Sequence, residues 1–341
     1  MQSSDYQVDR LYGSDLTTEE IYKDLVADLI PFAWSGGIGT LFAYGQTGSG
    51  KTFTVSRLEE LVAETLTSGT LEGKRDLYMT IIDLAGNAAF DLTNERKYIS
   101  LLEDADGVTQ MVGALEHHVK DTEEMKHLVE HANSFRRTES TLKNPASSRS
   151  HAICRIRIHN PTNNSDRLLC MIDLAGSEGA RDVAAHGADR MRETRQINVS
   201  LSVLKDCILG KAQVDAAMLR NTENSGQKIP YIPCRRSALT RVLKHVFDPA
   251  TARACKTVVI ACINPSLGDV SPSKNTLRFA EMLRVLVPVT DESDPSRKAT
   301  IHWTNADLKN WIDMNVSKSS DPSLIIKLTK LAKVWETPNL E

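Results

Sequence analysis

The sequence predicts an α/β fold, a central, mostly parallel or mixed β-sheet with helices on both faces. Three observations predict it. β-branched apolar runs of strand length alternate with helical periodicities, a glycine-rich loop joins a strand to a helix, and hydrophobic residues make up 41% of the 341 residues. That length and composition supply a core for one large domain or two modest ones and exclude disorder of the whole chain.

Residues 17–30 place Ile21, Leu25, Val26, Leu29 and Ile30 on one helical face, with Thr17 or Thr18 as the cap ahead of Glu20. WSGGIG (34–39) breaks that helix, and TLFAY (40–44) is a short buried strand. A helix is expected from Lys51 to about Leu66, a strand over 77–85, then a polar connection and a helix near 121–135. Later strands are expected at 151–158, 167–175 and 256–263, and helices at 189–209, 236–247 and 275–286. TENSGQK (222–228) reads as an exposed loop, and the composition break at 287–300 as a linker and domain boundary. Beyond it, residues 301–341 hold Trp303, Trp311, Trp335 and the apolar run LIIKLTKLAKVW, a small helical tail with no legible role.

Lys plus Arg number 41 against 44 Asp plus Glu, a formal charge of -3, so bulk charge indicates neither a nucleic-acid partner nor an acidic tail protein. The six cysteines form no C-x-x-C pair and sit in or beside apolar runs, which reads as buried free thiols in a reducing compartment. The N-terminal residues have no apolar signal-peptide core, and no apolar run reaches membrane-spanning length, so neither secretion nor a membrane span is expected.

Gly45, Gln46, Thr47, Gly48, Ser49, Gly50, Lys51 and Thr52 complete a G-x-x-x-x-G-K-[ST] phosphate loop between an expected strand and helix. Glycines let successive backbone N–H groups turn inward around phosphates, and the helix N-terminus adds partial positive charge. Lys51 would reach the β and γ phosphates, and Thr52 would supply an oxygen to Mg²⁺. A second piece, Asn144 to His151, contains Ser147, Ser148 and Arg149 and leads into a strand. A third, Asp173-Leu-Ala-Gly176-Ser177-Glu178, leaves the strand LLCMI. An acid at the end of a buried strand can hold Mg²⁺ through its water shell, and the following glycine can turn its N–H toward a γ phosphate. The two loops together suggest a pair of phosphate-sensing switches. The string IDLAG also occurs at 82–86, without the Ser-Glu step, and Asp83 there reads as structural.

GQTGSGKT, NPASSRSH, DLAGSE, INVSL (197), IPYIPCRRSALTRVL (229) and NTLRFAEM (275) occur in one order, and with them the chain resembles a kinesin motor domain over about residues 5–287. The resemblance implies a P-loop NTPase of kinesin type, binding ATP and Mg²⁺ and hydrolysing ATP when stimulated by microtubules. It implies that Ser147 and Ser148 close over the γ phosphate with Ser148 near the metal, and that Asp173 holds the metal's water shell. Gly176 would sense the γ phosphate, and Arg149 would pair with Glu178 to orient the lytic water. Microtubule contacts would come from Arg181, Arg190, Arg192, Arg195, Lys228, Arg235, Arg236, Arg241 and Lys244. They lie in a window, 179–245, with 12 Lys plus Arg and 6 Asp plus Glu.

GADR before the long helix, LKDCI at 204–208 and the NTLRFAEMLRVL ending resemble the microtubule-depolymerising internal-motor kinesins most. The resemblance implies a site on cytoplasmic microtubules or the spindle, and a homodimer built through regions absent here is compatible with it. It also implies truncation at the N-terminus, since the family carries a first strand with an adenine-contacting Arg-x-Arg-Pro motif before the match to YQVDRLYG. Domains are expected at 1–287, with the linker at 288–300 and the tail at 301–341. Intact phosphate and switch motifs favour a microtubule-stimulated ATPase that moves along or depolymerises microtubules. The absent strand favours the alternative, a nucleotide-impaired microtubule-binding module.

Overall fold

The computed structural model describes residues 5–104, 109–143, 149–177, 188–220, 231–247 and 254–283. All belong to the first of two units, Met1–Val285; the second, Leu286–Glu341, lies outside the described residues, as do the loop at 222–228, the linker and the tail.

The first helical stretch is three pieces. Helix α1 (Thr18–Ile21) starts from a capping box in which Thr17 accepts from the Glu20 N–H and Glu20 accepts from the Thr17 N–H. A π turn (Tyr22–Val26) follows, closed by a 2.8 Å bond from the Ala27 N–H to the Tyr22 carbonyl. Helix α2 (Leu29–Ser35) ends at Gly36, whose φ of 145° a side chain would resist. The wide turn shifts the phase of the apolar stripe, so Tyr22, Val26, Leu29 and Ile30 all face inward.

Strand β1 (Ile38–Gly45) leads through the phosphate loop into helix α3 (Lys51–Thr67), and β2 (Asp76–Ala85) follows. The connection expected to be merely polar carries four more strands: β3 (Ala88–Asp91), β4 (Lys97–Glu103), β5 (Thr109–Val112) and β6 (His117–Val119). They are short and half exposed, so their alternation is too brief to stand out from a loop. Helix α4 (Thr122–Lys143), strands β7 (His151–Asn160) and β8 (Ser165–Asp173), and helix α5 (Ala188–Arg220) come next, α5 running beyond its expected end. The expected helix at 236–247 is two turns, α6 (Ala238–Val242) and α7 (Lys244–Phe247), and the chain continues through β9 (Cys255–Cys262) to α8 (Val270–Leu283).

The sheet order is β5-β4-β3-β2-β7-β8-β1-β9, with β6 on β2. It is mixed: among the described residues, parallel pairing is confined to β1 with β8 and β1 with β9. Elsewhere, short reversals join antiparallel neighbours, such as the Gly86-Asn87 turn between Ala85 and Ala88, where Gly86 has φ 62°. All eight positions of β1 are buried because strands flank both edges and helices cover both faces. Leu41, Met79, Ile81, Ile156 and Met171 pack under α2, α3 and α4, while Phe42, Tyr44, Ile82, Ile153 and Ile172 pack under α5, α6, α7 and α8. No helix among the described residues is long and apolar enough to cross a membrane.

Leu58 lies on the inner face of α3 and is fully buried. Leu58→Ala should lower unfolding free energy by about 3 kcal/mol, read from the midpoint of urea denaturation; a loss below about 1 kcal/mol would mean that α3 is not seated on this core.

Candidate functional site

The phosphate loop turns because three of its glycines have positive φ: Gly45 at 154°, Gly48 at 75° and Gly50 at 92°. A methyl group at Gly45 would sit 2.2 Å from the Cys262 carbonyl oxygen, so the loop's first residue is held close to the end of β9. At Gly48 and Gly50 a methyl would meet nothing within 4 Å, which leaves one side of the loop open. Lys51 is buried at the start of α3, and its Nζ donates to the Gln46 carbonyl at 2.7 Å, closing the loop on itself. Ser49 Oγ donates to the same carbonyl at 2.8 Å.

Thr52, one residue into α3, donates from Oγ1 to Asp173 Oδ2 at 2.7 Å, which joins the phosphate loop to the end of β8. Arg136 of α4 donates from Nη1 to the same oxygen at 2.8 Å and from Nη2 to the Ser150 carbonyl at 3.3 Å. The other oxygen, Asp173 Oδ1, is buried without a hydrogen bond. Asp83 of β2 lies on the far side of Arg136, with Oδ1 4.0 Å from Nε, and Oδ2 accepts from Arg96 at 3.2 Å. A small cleft behind Thr52 is lined by Ser56, Glu59, Asn133, Arg136, Ala152 and Asp173 among others. Glu59 is partly exposed as a residue, but its carboxyl is surrounded; burial, with the nearby Asp173 charge adding, pushes its pKa up to about 8. Neither Arg136 nor Glu59 was legible as a site residue. Arg136 is 37 positions from Asp173, and Glu59 reads as one more polar residue of an amphipathic helix.

Of the nine cations expected on the basic face, Arg192 and Arg195 are exposed on α5, and Arg235 and Arg236 are exposed before α6. Arg241 instead turns inward, donating from Nη2 to the Leu101 carbonyl at 3.2 Å. Arg235 and Lys244 converge on Glu103 at the end of β4, at 2.9 Å from Arg235 Nε and 2.7 Å from Lys244 Nζ. These hydrogen bonds, the one from Arg235 first, pull the Glu103 pKa down to about 2. Arg190 lies in the first turn of α5, but its side chain, like Arg181 and Lys228, lies outside the described residues. Ser147, Ser148 and Glu178 lie outside them too; Arg149, half buried, and Gly176, buried, lie within.

The segment after β8 is fastened to the strand and loop beside it: the Leu174 N–H donates to the Ala43 carbonyl at 3.2 Å, and the Ser177 N–H to the Gly45 carbonyl at 3.1 Å. Between them the Ala175 N–H donates to His151 Nδ1 at 3.1 Å. Ser200 Oγ of α5 donates to the Ile197 carbonyl, so it accepts from His151 Nε2 at 2.8 Å, and the imidazole is the neutral Nε2–H tautomer. One buried ring thus ties β7, the segment before Gly176 and helix α5 together.

Burial, helped by the Arg136 charge, lowers the His151 pKa from 6.5 to about 3. The unfolded chain therefore takes up this proton first, so the stabilisation is complete above pH 6.5 and is lost as pH falls toward 3. Wild-type unfolding free energy should fall below pH 6.5 with a slope contribution approaching about 1.4 kcal/mol per pH unit, and His151→Gln should remove it. Urea denaturation from pH 7.5 to 5 checks this; equal slopes in the two proteins would assign the acid sensitivity to other groups.

The family model described as the kinesin motor domain matches residues 1–286. Diatom spindle kinesin-1 of Cylindrotheca fusiformis is 35% identical over 282 residues, covering 82% of this chain and 42% of that protein. Kinesin-like protein KIN-13B of Arabidopsis thaliana is 32% identical over 297 residues, covering 84% and 41%, and KIN-13A of Oryza sativa subsp. japonica 30% identical over 309 residues, covering 84% and 36%. The chain spans about two fifths of the length of these curated relatives. With a matching phosphate loop joined to the acid at the end of β8, and with the family model covering all of the described residues, the chain belongs to the kinesin motor domain family.

Proposed function

We infer that the chain is a microtubule-binding ATPase that couples ATP hydrolysis to movement along, or depolymerisation of, microtubules. The observation that carries the reading is the Thr52–Asp173 bond of 2.7 Å between the phosphate loop's helix and β8, beside a buried Asp173 Oδ1 that has no hydrogen bond. An unmatched carboxylate oxygen next to a hydroxyl is what a hydrated Mg²⁺ requires, and the open side at Gly48 and Gly50 admits phosphates. Residues and ligand fit.

Thr52 would contribute its hydroxyl oxygen to Mg²⁺, and Asp173 Oδ1 would accept from the metal's water shell. Bound Mg²⁺ supplies charge that offsets the negative charge developing on the transferred phosphoryl group. Lys51 exchanges the Gln46 carbonyl for phosphate oxygens, so the loop that is closed on itself opens onto its ligand. Gly176 is assigned to sensing a γ phosphate through its N–H, a reading supported by the bonds that fasten Leu174 to β1 and Ser177 to the first residue of the loop. Motion there passes through His151 and Ser200 to α5, which carries the exposed Arg192 and Arg195. Ser147 and Ser148 are assigned to closing over the phosphates, and Arg149 with Glu178 to orienting the attacking water. The same reading divides the chain into a motor unit to 287, a linker and a tail, supported by the unit boundary after Val285.

ATP turnover of the full chain with and without microtubules tests the function. Stimulation by microtubules, lost in Lys51→Ala together with at least tenfold in ATP affinity, is expected, since that change removes a charge-assisted contact of about 1.5–3 kcal/mol. A folded Lys51→Ala protein with unchanged affinity would overturn the phosphate assignment, and microtubule binding without turnover would favour the nucleotide-impaired module.

The Glu103 cluster sets the polarity of a second prediction. Arg236→Ala should weaken microtubule co-sedimentation roughly threefold and flatten its salt dependence, whereas Glu103→Gln, which releases Arg235 and Lys244, should strengthen it by a similar factor. Changes of the same sign in both variants would place this face away from the polymer.

A further inference from the structure

Helix α4 turns one face to the core and the other to solvent. Met125, Val129 and Ala132 pack into the core beneath it, at spacings of four and three residues that leave the far side exposed. That side carries His127 and His131, both exposed and one helical turn apart, a register that sets their Cβ atoms about 5–6 Å from each other. Their rings are nearly parallel, with 11° between the planes and 6.3 Å between centroids. Phe135, one turn further on, meets the His131 ring edge-on at 5.0 Å and braces it.

Two imidazoles in this register are a bidentate ligand. Imidazole nitrogen suits Zn²⁺, Ni²⁺ and Cu²⁺, whereas Mg²⁺ and Ca²⁺ take oxygen ligands. Nitrogens about 2.0–2.1 Å from a tetrahedral Zn²⁺ set the ring centroids about 5 Å apart. The observed separation is wider by about 1 Å, a gap that small side-chain rotations of two exposed residues close. The surrounding charge favours a cation: Glu123, Glu124 and Glu130 flank the pair and are exposed, and the neighbouring Lys126 is paired with Glu64 at 3.0 Å.

His127-Leu-Val-Glu130-His131 has the H-x-x-E-H spelling of one class of zinc peptidase. Here the string lies on an exposed helix face, and among the described residues no group of three or more acids, cysteines and histidines gathers to hold a metal. The pair therefore offers capture of an ion by two nitrogens, with water in the remaining positions, and no hydrolysis.

We propose that His127 and His131 chelate one borderline transition dication, of the Zn²⁺, Ni²⁺ and Cu²⁺ class, and that the bound ion staples the middle of α4. The inference does not rest on the nucleotide reading, because the pair occupies the solvent face of α4, whereas Asn133 and Arg136 of the same helix line the cleft behind Thr52. An ion that needs both nitrogens binds the intact turn and not the opened one, so it suppresses opening of that turn by mass action.

The test is calorimetric titration of the untagged full chain with Zn²⁺ and then Ni²⁺, in excess Mg²⁺ so that oxygen sites are filled. His127→Ala and His131→Ala should each weaken binding at least about tenfold, and the double variant should be no weaker than either, because losing one nitrogen already breaks the chelate. A chain with His131→Ala and Ser134→His keeps two exposed imidazoles but sets them two turns apart, and should not recover the site. All three positions are exposed, so these changes leave the core in place. At free Zn²⁺ ten times the dissociation constant, hydrogen exchange through opening of the turn at 127–135 should slow about tenfold in wild type and in neither single variant.

Wild-type protein that binds neither ion, binding unchanged in both single variants, or full recovery by the Ser134→His chain would overturn the proposal. Binding through the two histidines with no change in exchange would overturn the staple. Either result leaves ATP turnover and its dependence on Lys51 untouched, so failure here is separable from failure of the nucleotide reading.

Discussion

The carboxylate of Asp173 is the point on which the structure around the phosphate loop depends. It receives Thr52 from α3 and Arg136 from α4, and it ends β8. Thr52 and Asp173 are 121 residues apart in the chain, so their bond closes a long loop and exists only if both strands have found their places in the sheet. Asp173 and Arg136 are both buried, and burying either alone would cost several kcal/mol. Each is tolerable because the other is there. The same pairing leaves one carboxylate oxygen, Oδ1, buried without a hydrogen bond.

The sheet explains why this happens at one end of the molecule. Strands β8, β1 and β9 are parallel neighbours, so their C-terminal ends lie side by side, and the phosphate loop and the segment containing Gly176 leave from adjacent strands. Ligand crevices of open α/β sheets form outside such ends. The antiparallel strands on the other side contribute a different thing, a stack of neighbours in register. Through β7 they place Asp83 at the level of Asp173, and through β4 they bring Glu103 to the cations that follow α5.

The outer basic face shows how little a count of charges says about their availability. Arg235, though exposed, converges with Lys244 on Glu103, and Arg241 is held by a backbone carbonyl; Arg192, Arg195 and Arg236 are exposed too. Exposed pairs are individually weak, so Glu103 modulates the face and does not cancel it. His151 contributes a different kind of linkage. Being neutral and fully hydrogen-bonded, it can join the segment before Gly176 to α5 without a buried charge to stabilise.

The order of the site's segments was legible in the sequence wherever a short motif carries its own mechanics. Gly45 to Thr52 needs no distant partner to be read as a phosphate loop, because glycines, lysine and hydroxyl act within one turn of chain. The longer strands β1, β7 and β9 were likewise visible from their apolar and β-branched residues, although of the three only β1 is buried at every position. Strands β3 to β6 were not, because short, half-exposed segments gain their identity from the neighbour they pair with. Asp83 shows the limit most clearly. Its local string is nearly that of Asp173, and by sequence it was a structural duplicate; its relation to Arg136 arises from strand register and from a helix that crosses above Ala152. Local sequence determined where the family's short motifs lie along the chain. Tertiary structure alone decided which buried charges share a counter-ion, because that depends on distances of a few ångströms between elements that the chain order leaves far apart.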